Sequence, residues 1–292
     1  VKVRTDTSSD MSGATAWGSC TGISSGSDIT SNGCVTDTDQ YLQYRVELNP
    51  SGGNSPIFED VSVGFTPSDV TPPTNPTALS SYSENGGDAI TGSTWYNYTG
   101  PYFTWTGADD IAGPEGNPSG VAGYWVCFGA VDCDPTAGTW TTNANYTASG
   151  LSTGVYYLRI RTRDAAGNLA DTVYDAFTYW HDATNPTSPG VVAGDPAGYT
   201  NVNLFTFLWS VGTDSDSGID EYCYKTGEVG ATESCISSTS VAGILAYQDN
   251  VNTFYVRSKD VAGNLAASYA QVNYYYNGSA PSEPQSLAVT PE

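Results

Sequence analysis

Basic residues, histidine and methionine are scarce in this chain. Its 292 residues include nine lysines and arginines, one histidine and one methionine, against 31 aspartates and glutamates. The resulting net charge of −22 argues against a nucleic-acid-binding surface and against anionic membranes, because both would be repelled. Acidity of this degree favours either a solvated surface or divalent cations held by carboxylates.

Long apolar runs are also missing. No stretch approaches the roughly 18 residues that a membrane span needs, and no signal-peptide pattern is present. Because the chain begins at Val1 and not at an initiator methionine, we expect a mature or internal fragment. Charged residues make up only 14%, beside 32 glycines and 21 tyrosines, a composition that favours strands and turns over helices.

One unit of the sequence occurs twice. Residues 164–170 read DAAGNLA and residues 260–266 read DVAGNLA, at a spacing of 260 − 164 = 96 residues. A second matching pair, DVTPPTNP at 69–76 and DATNPTSP at 182–189, stands where each unit would begin. A period near 100 residues is the size of one β-sandwich.

Matching strands can be laid side by side within the two units. Apolar residues alternate around Trp105 and Trp209, and again where Leu158 and Ile160 alternate with arginines, which is the period of half-buried strands. We therefore predict domains at residues 68–181 and 182–278, preceded by a β-rich segment at 1–67. Residues 279–292 are predicted to be a linker or the first strand of a further domain.

The repeated pattern resembles a known superfamily. A Pro-rich entry, a strand with tryptophan, an SG(I/V)xxY strand and a strand running into DxAGN resemble the bacterial Ig-like and fibronectin type III-like repeats of large cell-surface proteins, over about residues 69–278. The resemblance implies an all-β fold of tandem sandwiches. Two departures are an insertion in GADDIAGPEGNPSG, residues 107–120, and cysteines in the hairpins.

The first segment differs from the two repeats. YLQYRVEL from Tyr41 and IFEDVSVGF from Ile57 have the period of strands, and they weakly resemble closing strands of jelly-roll-like modules. A segment of ~65 residues is small for a complete sandwich. Either upstream strands lie outside this fragment, or a strand from another chain completes it, for example a tail such as SLAVTPE.

The six cysteines fall into three local pairs, one per segment. No spacing matches a four-ligand zinc site, so we expect disulfides and an oxidising, extracellular or cell-surface location. The alternative is buried free thiols. The expected pairs are Cys20 with Cys34, Cys127 with Cys133, and Cys223 with Cys235.

Aspartates in equivalent loops form a candidate calcium site. Asp214 and Asp216 belong to a DxDxG run, and Asp109 with Asp110 occupies the matching loop of the preceding unit. Calcium takes six to eight oxygens, so alternating carboxylates are a reasonable start. The alternative is that each aspartate caps its own turn. Further expected ligands are the junction and turn aspartates, Asp69, Asp182, Asp164 and Asp260.

Other sites are less defined. Three sequons mark Asn97, Asn145 and Asn277 as candidate glycosylation sites. We predict no catalytic residues, because His181 lies at a domain junction and no GxSxG elbow is present. Sugar-stacking aromatics are an open alternative to core packing for a group of five rings, Trp95, Tyr96, Tyr98, Tyr102 and Trp140.

The sequence thus predicts a structural protein and not an enzyme. We expect an extracellular scaffold, a segment of a surface protein or filament subunit that contacts neighbouring domains of its own chain or identical subunits. No cofactor other than calcium is expected, and no nucleic-acid partner. The alternative is a glycan-binding or adhesin module, or accessory domains of a secreted hydrolase.

Overall fold

The structure is a computed structural model, and it describes residues 1–36, 39–50, 52–53, 56–64, 69–113 and 118–279. These residues form strands and loops, with two short 3-10 helices at Trp17–Ser19 and Pro135–Ala137. Within the same ranges, no helix has the length and apolarity to cross a membrane. The chain divides into two compact units, Val1–Phe65 and Thr66–Glu292. The predicted all-β fold is confirmed.

The first unit contains one small sheet. Strands β1 (Lys2–Asp6) and β2 (Tyr41–Arg45) pair antiparallel, and Val3 on β1 is buried. The strand predicted from Ile57 is wrong, because residues 57–64 carry no strand and the side chain of Ile57 is 85% exposed. Period-2 alternation without a partner strand leaves backbone groups unpaired. The jelly-roll-like assignment stays a prediction.

Two sandwiches follow in the second unit. The first sandwich consists of β3 (Ala78–Tyr82), β4 (Trp95–Tyr96), β5 (Tyr102–Thr106), β6 (Val121–Gly129), β7 (Thr139–Thr141), β8 (Asn145–Thr147), β9 (Gly154–Asp164) and β10 (Tyr174–His181). The second consists of β11 (Val192–Asp195), β12 (Phe205–Trp209), β13 (Ile219–Thr226), β14 (Ser234–Ile236), β15 (Ser240–Ile244), β16 (Asn250–Asp260) and β17 (Ala270–Tyr276).

The two sandwiches share one strand order. In the first, β3-β5-β8 face β4-β10-β9-β6-β7, and in the second, β11-β12-β15 face β14-β13-β16-β17. Strand β4 pairs parallel with β10, and a single parallel bridge between Thr200 and Tyr276 stands at the corresponding edge of the second sandwich. In both sandwiches an edge strand, β7 in the first and β14 in the second, pairs with the strand before it, β6 or β13. It does not pair with the strand after it, β8 or β15, as it would in the constant-type immunoglobulin order.

Each core is built from the inward-facing alternate residues of both sheets. Leu158 and Ile160 on β9, and Phe254 and Val256 on β16, are fully buried, while the residues between them are not. A buried tryptophan meets a tyrosine of the facing sheet edge-on in both copies, with centroids 5.3 and 5.7 Å apart, in the pairs Trp105–Tyr124 and Trp209–Tyr222. The predicted core strands are therefore present in the same register in both copies.

Three disulfides join the cysteines in the predicted local pairs. Cα–Cα distances are 5.6 Å for Cys20–Cys34, 6.2 Å for Cys127–Cys133 and 4.0 Å for Cys223–Cys235. The last of these bridges directly paired positions on β13 and β14. Each bridge closes a local loop of its own unit, so none ties one unit to another.

Candidate metal centres

The structure gathers six of the eight predicted aspartates into two clusters of three. In each cluster, one carboxylate oxygen per residue lies within 4.8 Å of the others. Each cluster contains an entry aspartate, a loop aspartate and a turn aspartate. The first cluster is Asp69, Asp110 and Asp164, and the second cluster is Asp182, Asp214 and Asp260.

The turn aspartate of each cluster ends the longest strand of its sandwich and organises the DxAGN turn. In the first copy, Asp164 accepts N–H bonds from Gly167 and Asn168, both at 2.7 Å, and a side-chain bond from Asn168 at 2.7 Å. Asp260 accepts the same pair of bonds from Asn264, at 2.7 and 2.9 Å. The conformation requires glycine, since φ is 103° at Gly167 and 98° at Gly263.

The entry aspartate is bound to the same turn through its backbone. The amide of the turn asparagine donates to the carbonyl oxygen of the entry aspartate, at 3.1 Å for Asn168 with Asp69 and 3.0 Å for Asn264 with Asp182. The entry carboxylate accepts one N–H two residues ahead and one from a serine. These partners are Thr71 and Ser119 for Asp69, and Thr184 and Ser217 for Asp182.

The loop aspartate differs from the other two in having one oxygen without a donor. Oδ2 of Asp110 accepts the N–H of Gly120 at 2.6 Å, and Oδ2 of Asp214 accepts those of Ser217 and Gly218 at 2.9 and 2.8 Å. In both residues, Oδ1 is buried and has no hydrogen-bond partner among the described residues. The same atom is thus unsatisfied in both copies.

Electrostatics work against three ionised carboxylates so close together. At an effective dielectric constant of about 20, two unit charges about 4 Å apart repel by about 4 kcal/mol. Burial and the negative charge of Asp182 raise the pKa of Asp260, whereas hydrogen bonds from Ser119 lower the pKa of Asp69. None of the ion pairs among the described residues supplies a basic side chain to either cluster.

Asp109 and Asp216, the remaining predicted ligands, lie outside the clusters and are exposed. The backbone of Asp109 pairs with Thr74 in the same way as that of Thr213 pairs with Thr187. This register turns the next residue, Asp110 or Asp214, inward. A third acidic group, Glu221 with Cys223 and Cys235, has both sulfurs in a disulfide and its carboxylate on Lys259 at 2.7 Å.

The second cluster lies at the joint between the sandwiches. Asp182 directly follows the last residue of β10, and its N–H donates to the carbonyl of Tyr96 at 3.0 Å. The side chain of Asn97 donates to Oδ1 of Asn264, in the DxAGN turn of the second sandwich, at 3.2 Å. Beyond the sequon, nothing in the sequence signalled this contact of Asn97.

His181 is fully buried at the end of β10. Its Nδ1 lies 3.0 Å from the carbonyl oxygen of Ser152, and its ring stacks near Tyr179. Of the five aromatic residues considered for sugar stacking, four are half-buried and Tyr98 is exposed, and all five contact another aromatic ring. These contacts are Trp95 with Trp180, Tyr96 with Tyr98 and Tyr179, Tyr102 with Tyr82, and Trp140 with Trp125.

The three sequon asparagines differ in their surroundings. Asn277 is exposed, Asn145 is half-buried on β8, and Asn97 uses its side-chain nitrogen in the bond to Asn264. A glycan on Asn97 would displace that bond, because glycosylation occurs on the same nitrogen.

A shallow depression over β9 and β10 is lined by the ion pair of Arg159 and Asp175 at 2.6 Å.

Comparison with known proteins places these observations in context. The chain is 29% identical over 239 residues to chitinase A1 of Niallia circulans, and 33% identical over 188 residues to exoglucanase A of Cellulomonas fimi. No protein-family model matches. Together with the shared strand order, these matches bear out the predicted resemblance. The two sandwiches resemble fibronectin type III-like modules, as predicted from the sequence.

Solved structures of such modules also align with the chain. The FN1–FN3 domains of chicken CNTN1 align with 70% of this chain and 68% of their own, at 13% identity and a TM-score of 0.37. The fibronectin(III)-like modules of Clostridium thermocellum CbhA align over 68% of this chain and 98% of theirs, at 12% identity and a TM-score of 0.38. Both TM-scores are below 0.5, so the resemblance rests on the strand order and not on these alignments.

The matched region is a minor part of both curated relatives. It covers 80% of this chain but 28% of the chitinase, and 63% of this chain but 20% of the exoglucanase. The chain therefore spans under a third of the length of either enzyme.

Proposed function

We propose that this chain is a non-catalytic spacer in an extracellular multidomain protein, where its tandem modules hold neighbouring domains apart. The proposal rests on the match of this chain to part of two enzymes with different named activities. One is named a chitinase and the other an exoglucanase, yet both contain a stretch similar to this chain that occupies 28% and 20% of their lengths. A stretch common to two differently named activities is better suited to an accessory role than to catalysis.

The remaining features fit this role. Three disulfides are consistent with an oxidising, extracellular compartment, and the net charge of −22 keeps such modules from binding anionic polymers. The proposed domain boundary falls between His181 and Asp182, where β10 ends. The proposed partners are neighbouring domains of the same chain. A filament built through residues 279–292 stays a prediction, and residues 280–292 lie outside the described ranges.

Co-sedimentation with chitin and with cellulose tests the spacer proposal against a glycan-binding role. The full chain should stay in the supernatant with both polysaccharides and release no sugar from either. Retention that is lost in Tyr98→Ala, which changes a ring that is 37% exposed, would replace the spacer by a glycan-binding module. Sugar release by the purified chain would overturn the non-catalytic role. The matched control is Tyr157→Ala, a similarly exposed tyrosine on β9.

A further inference from the structure

We propose that each aspartate cluster binds one calcium ion, and that the ion of the second cluster joins the two sandwiches. The binding does not depend on the spacer function. Its mechanical consequence, a stiffer joint, rests on that function.

The loop aspartate of each cluster has a buried oxygen without a hydrogen-bond donor among the described residues. Asp110 is only 8% exposed, and its Oδ1 has no donor among the described residues, although most buried carboxylate oxygens find one. Asp214 repeats this arrangement in the second copy. A cation in each cluster would satisfy the unpaired Oδ1 of its loop aspartate. It would also offset the repulsion among the three carboxylates of that cluster.

The carboxylates of each cluster are oriented by hydrogen bonds and still present oxygens for a cation. Backbone and asparagine N–H groups orient all three aspartates, so the cluster geometry is held by the protein itself. The remaining donor atoms are oxygens presented by loops, which suits a hard cation with variable coordination. Calcium accepts six to eight oxygens, including waters, in irregular geometry. Zinc sites are built mainly from histidine nitrogen and cysteine sulfur, and magnesium demands a near-ideal octahedron.

The second cluster contains aspartates from both sides of the joint between the sandwiches. Asp182 continues directly from the last strand of the first sandwich, whereas Asp214 lies in a loop of the second sandwich and Asp260 ends its strand β16. An ion held by all three would connect β10 to the DxAGN turn of the next module. The bond of Asn97 to Asn264 already holds this turn against the first sandwich. In contrast, the three aspartates of the first cluster all lie at one end of the first sandwich.

Calorimetric titration of calcium chloride into the EDTA-stripped full chain tests the two sites. We expect two ions per chain, with dissociation constants of about 0.1–1 mM, typical of extracellular modules. Asp110→Asn and Asp214→Asn should each lose one ion. The matched controls Asp109→Asn and Asp216→Asn remove the same charge from exposed neighbours and should keep both. No binding by the unaltered chain, equal losses in the controls, or equal affinity for magnesium would overturn the assignment.

Thermal unfolding distinguishes ion binding from a purely structural role of the loop aspartates. Asparagine retains the accepting oxygen and places an N–H₂ group where Oδ1 had no donor. In EDTA, Asp110→Asn should therefore melt at the same temperature as the unaltered chain or higher. In 10 mM calcium, Asp110→Asn should melt several degrees below the unaltered chain, because the variant lacks the ion that stabilises the native state. An equal decrease under both conditions would assign a structural role and contradict the proposal.

Nuclear magnetic resonance relaxation of the two sandwiches tests the joint separately. With calcium, their rotational correlation times should converge, and Asp214→Asn should abolish this change while Asp110→Asn preserves it. If both ions bind but the correlation times do not respond, the sites stand and the stiffened joint is wrong. An equal response of the two variants would also exclude the joint.

Discussion

The two clusters have the same chemistry but different positions in the chain. The first cluster joins three segments at one end of the first sandwich, while the second includes Asp182, which directly follows β10 of the preceding module. The entry motif is repeated, yet among the described residues only the second copy lies between two of the sandwiches. A repeated sequence can therefore hold a module together at one place and connect two modules at another.

The largest expected effect is in the core of the second sandwich. Phe254 is fully buried and stacks on Phe207 with ring centroids 4.0 Å apart. Phe254→Ala should destabilise this sandwich by about 3–5 kcal/mol. Differential scanning calorimetry should show a lowered transition for the second sandwich beside an unchanged one for the first.

The matched variant is Leu158→Ala, at the equivalent position of β9. It should lower the transition of the first sandwich by about 2–5 kcal/mol. A single transition that shifts equally in both variants would show that the sandwiches unfold as one body, and the comparison between two separate modules would be wrong.

Removal of a hairpin disulfide should have the next largest effect. Cys223 and Cys235 are separated by 12 residues in sequence, and Cys127 and Cys133 by 6. In the chain-entropy model, a loop of about 15 residues contributes about 3 kcal/mol, and a shorter loop contributes less. Replacing both cysteines by alanine should therefore destabilise the second sandwich more than the first, as measured by urea unfolding. The reverse order would contradict the model.

The glycines of the two DxAGN turns provide a more symmetric comparison. Gly167 and Gly263 both have φ near 100°, a conformation that costs other residues about 1–3 kcal/mol. Gly167→Ala and Gly263→Ala should each destabilise their own sandwich by that amount. Gly263→Ala should also weaken the second calcium site. A neutral result at either position would show that the turn does not depend on this conformation.

The smallest expected effect comes from removing an ion pair of the second sandwich. Arg257 donates to Glu233 through two bonds of 2.8 and 2.6 Å. Burial opposes ionisation, but hydrogen bonds from Arg257 and Tyr269 outweigh it and lower the pKa of Glu233 below its usual value of 4.5. The pair therefore stabilises the fold at neutral pH, and this contribution is lost as the pH falls through the lowered pKa.

Glu233→Gln should destabilise the second sandwich by about 1–2 kcal/mol at pH 7. The difference in unfolding free energy between the variant and the unaltered chain should shrink as the pH falls below the usual glutamate pKa. Urea unfolding at several pH values measures it. The control is Glu228→Gln, an exposed carboxylate of the same hairpin, which should have little effect. A difference that persists unchanged at pH 2 would show that lost packing, and not the ion pair, is responsible.

The strands of the repeats could be predicted because the alternation of buried and exposed residues occurs twice in the same register. Residues 57–64 show the same alternation but form no strand, since the periodicity does not reveal whether a neighbouring strand is available. The single parallel bridge at Thr200 and the bond between Asn97 and Asn264 depend on tertiary contacts that carry no sequence pattern.

The candidate site could be predicted only in part. The sequence singles out eight aspartates but does not show which of Asp109 and Asp110 faces inward. That choice follows from the backbone pairing of Asp109 with Thr74, which mirrors that of Thr213 with Thr187. The role of Asn168 in holding Asp69 to the turn also depends on folding, because the two residues are far apart in sequence.

A crystal structure of the full chain grown in calcium tests the central claim most directly. The account predicts one peak of electron density within each cluster, at 2.3–2.6 Å from the aspartate oxygens, including Oδ1 of Asp110 and of Asp214. Clusters in which these two oxygens accept hydrogen bonds from water or a side chain, with no ion at millimolar calcium, would contradict it.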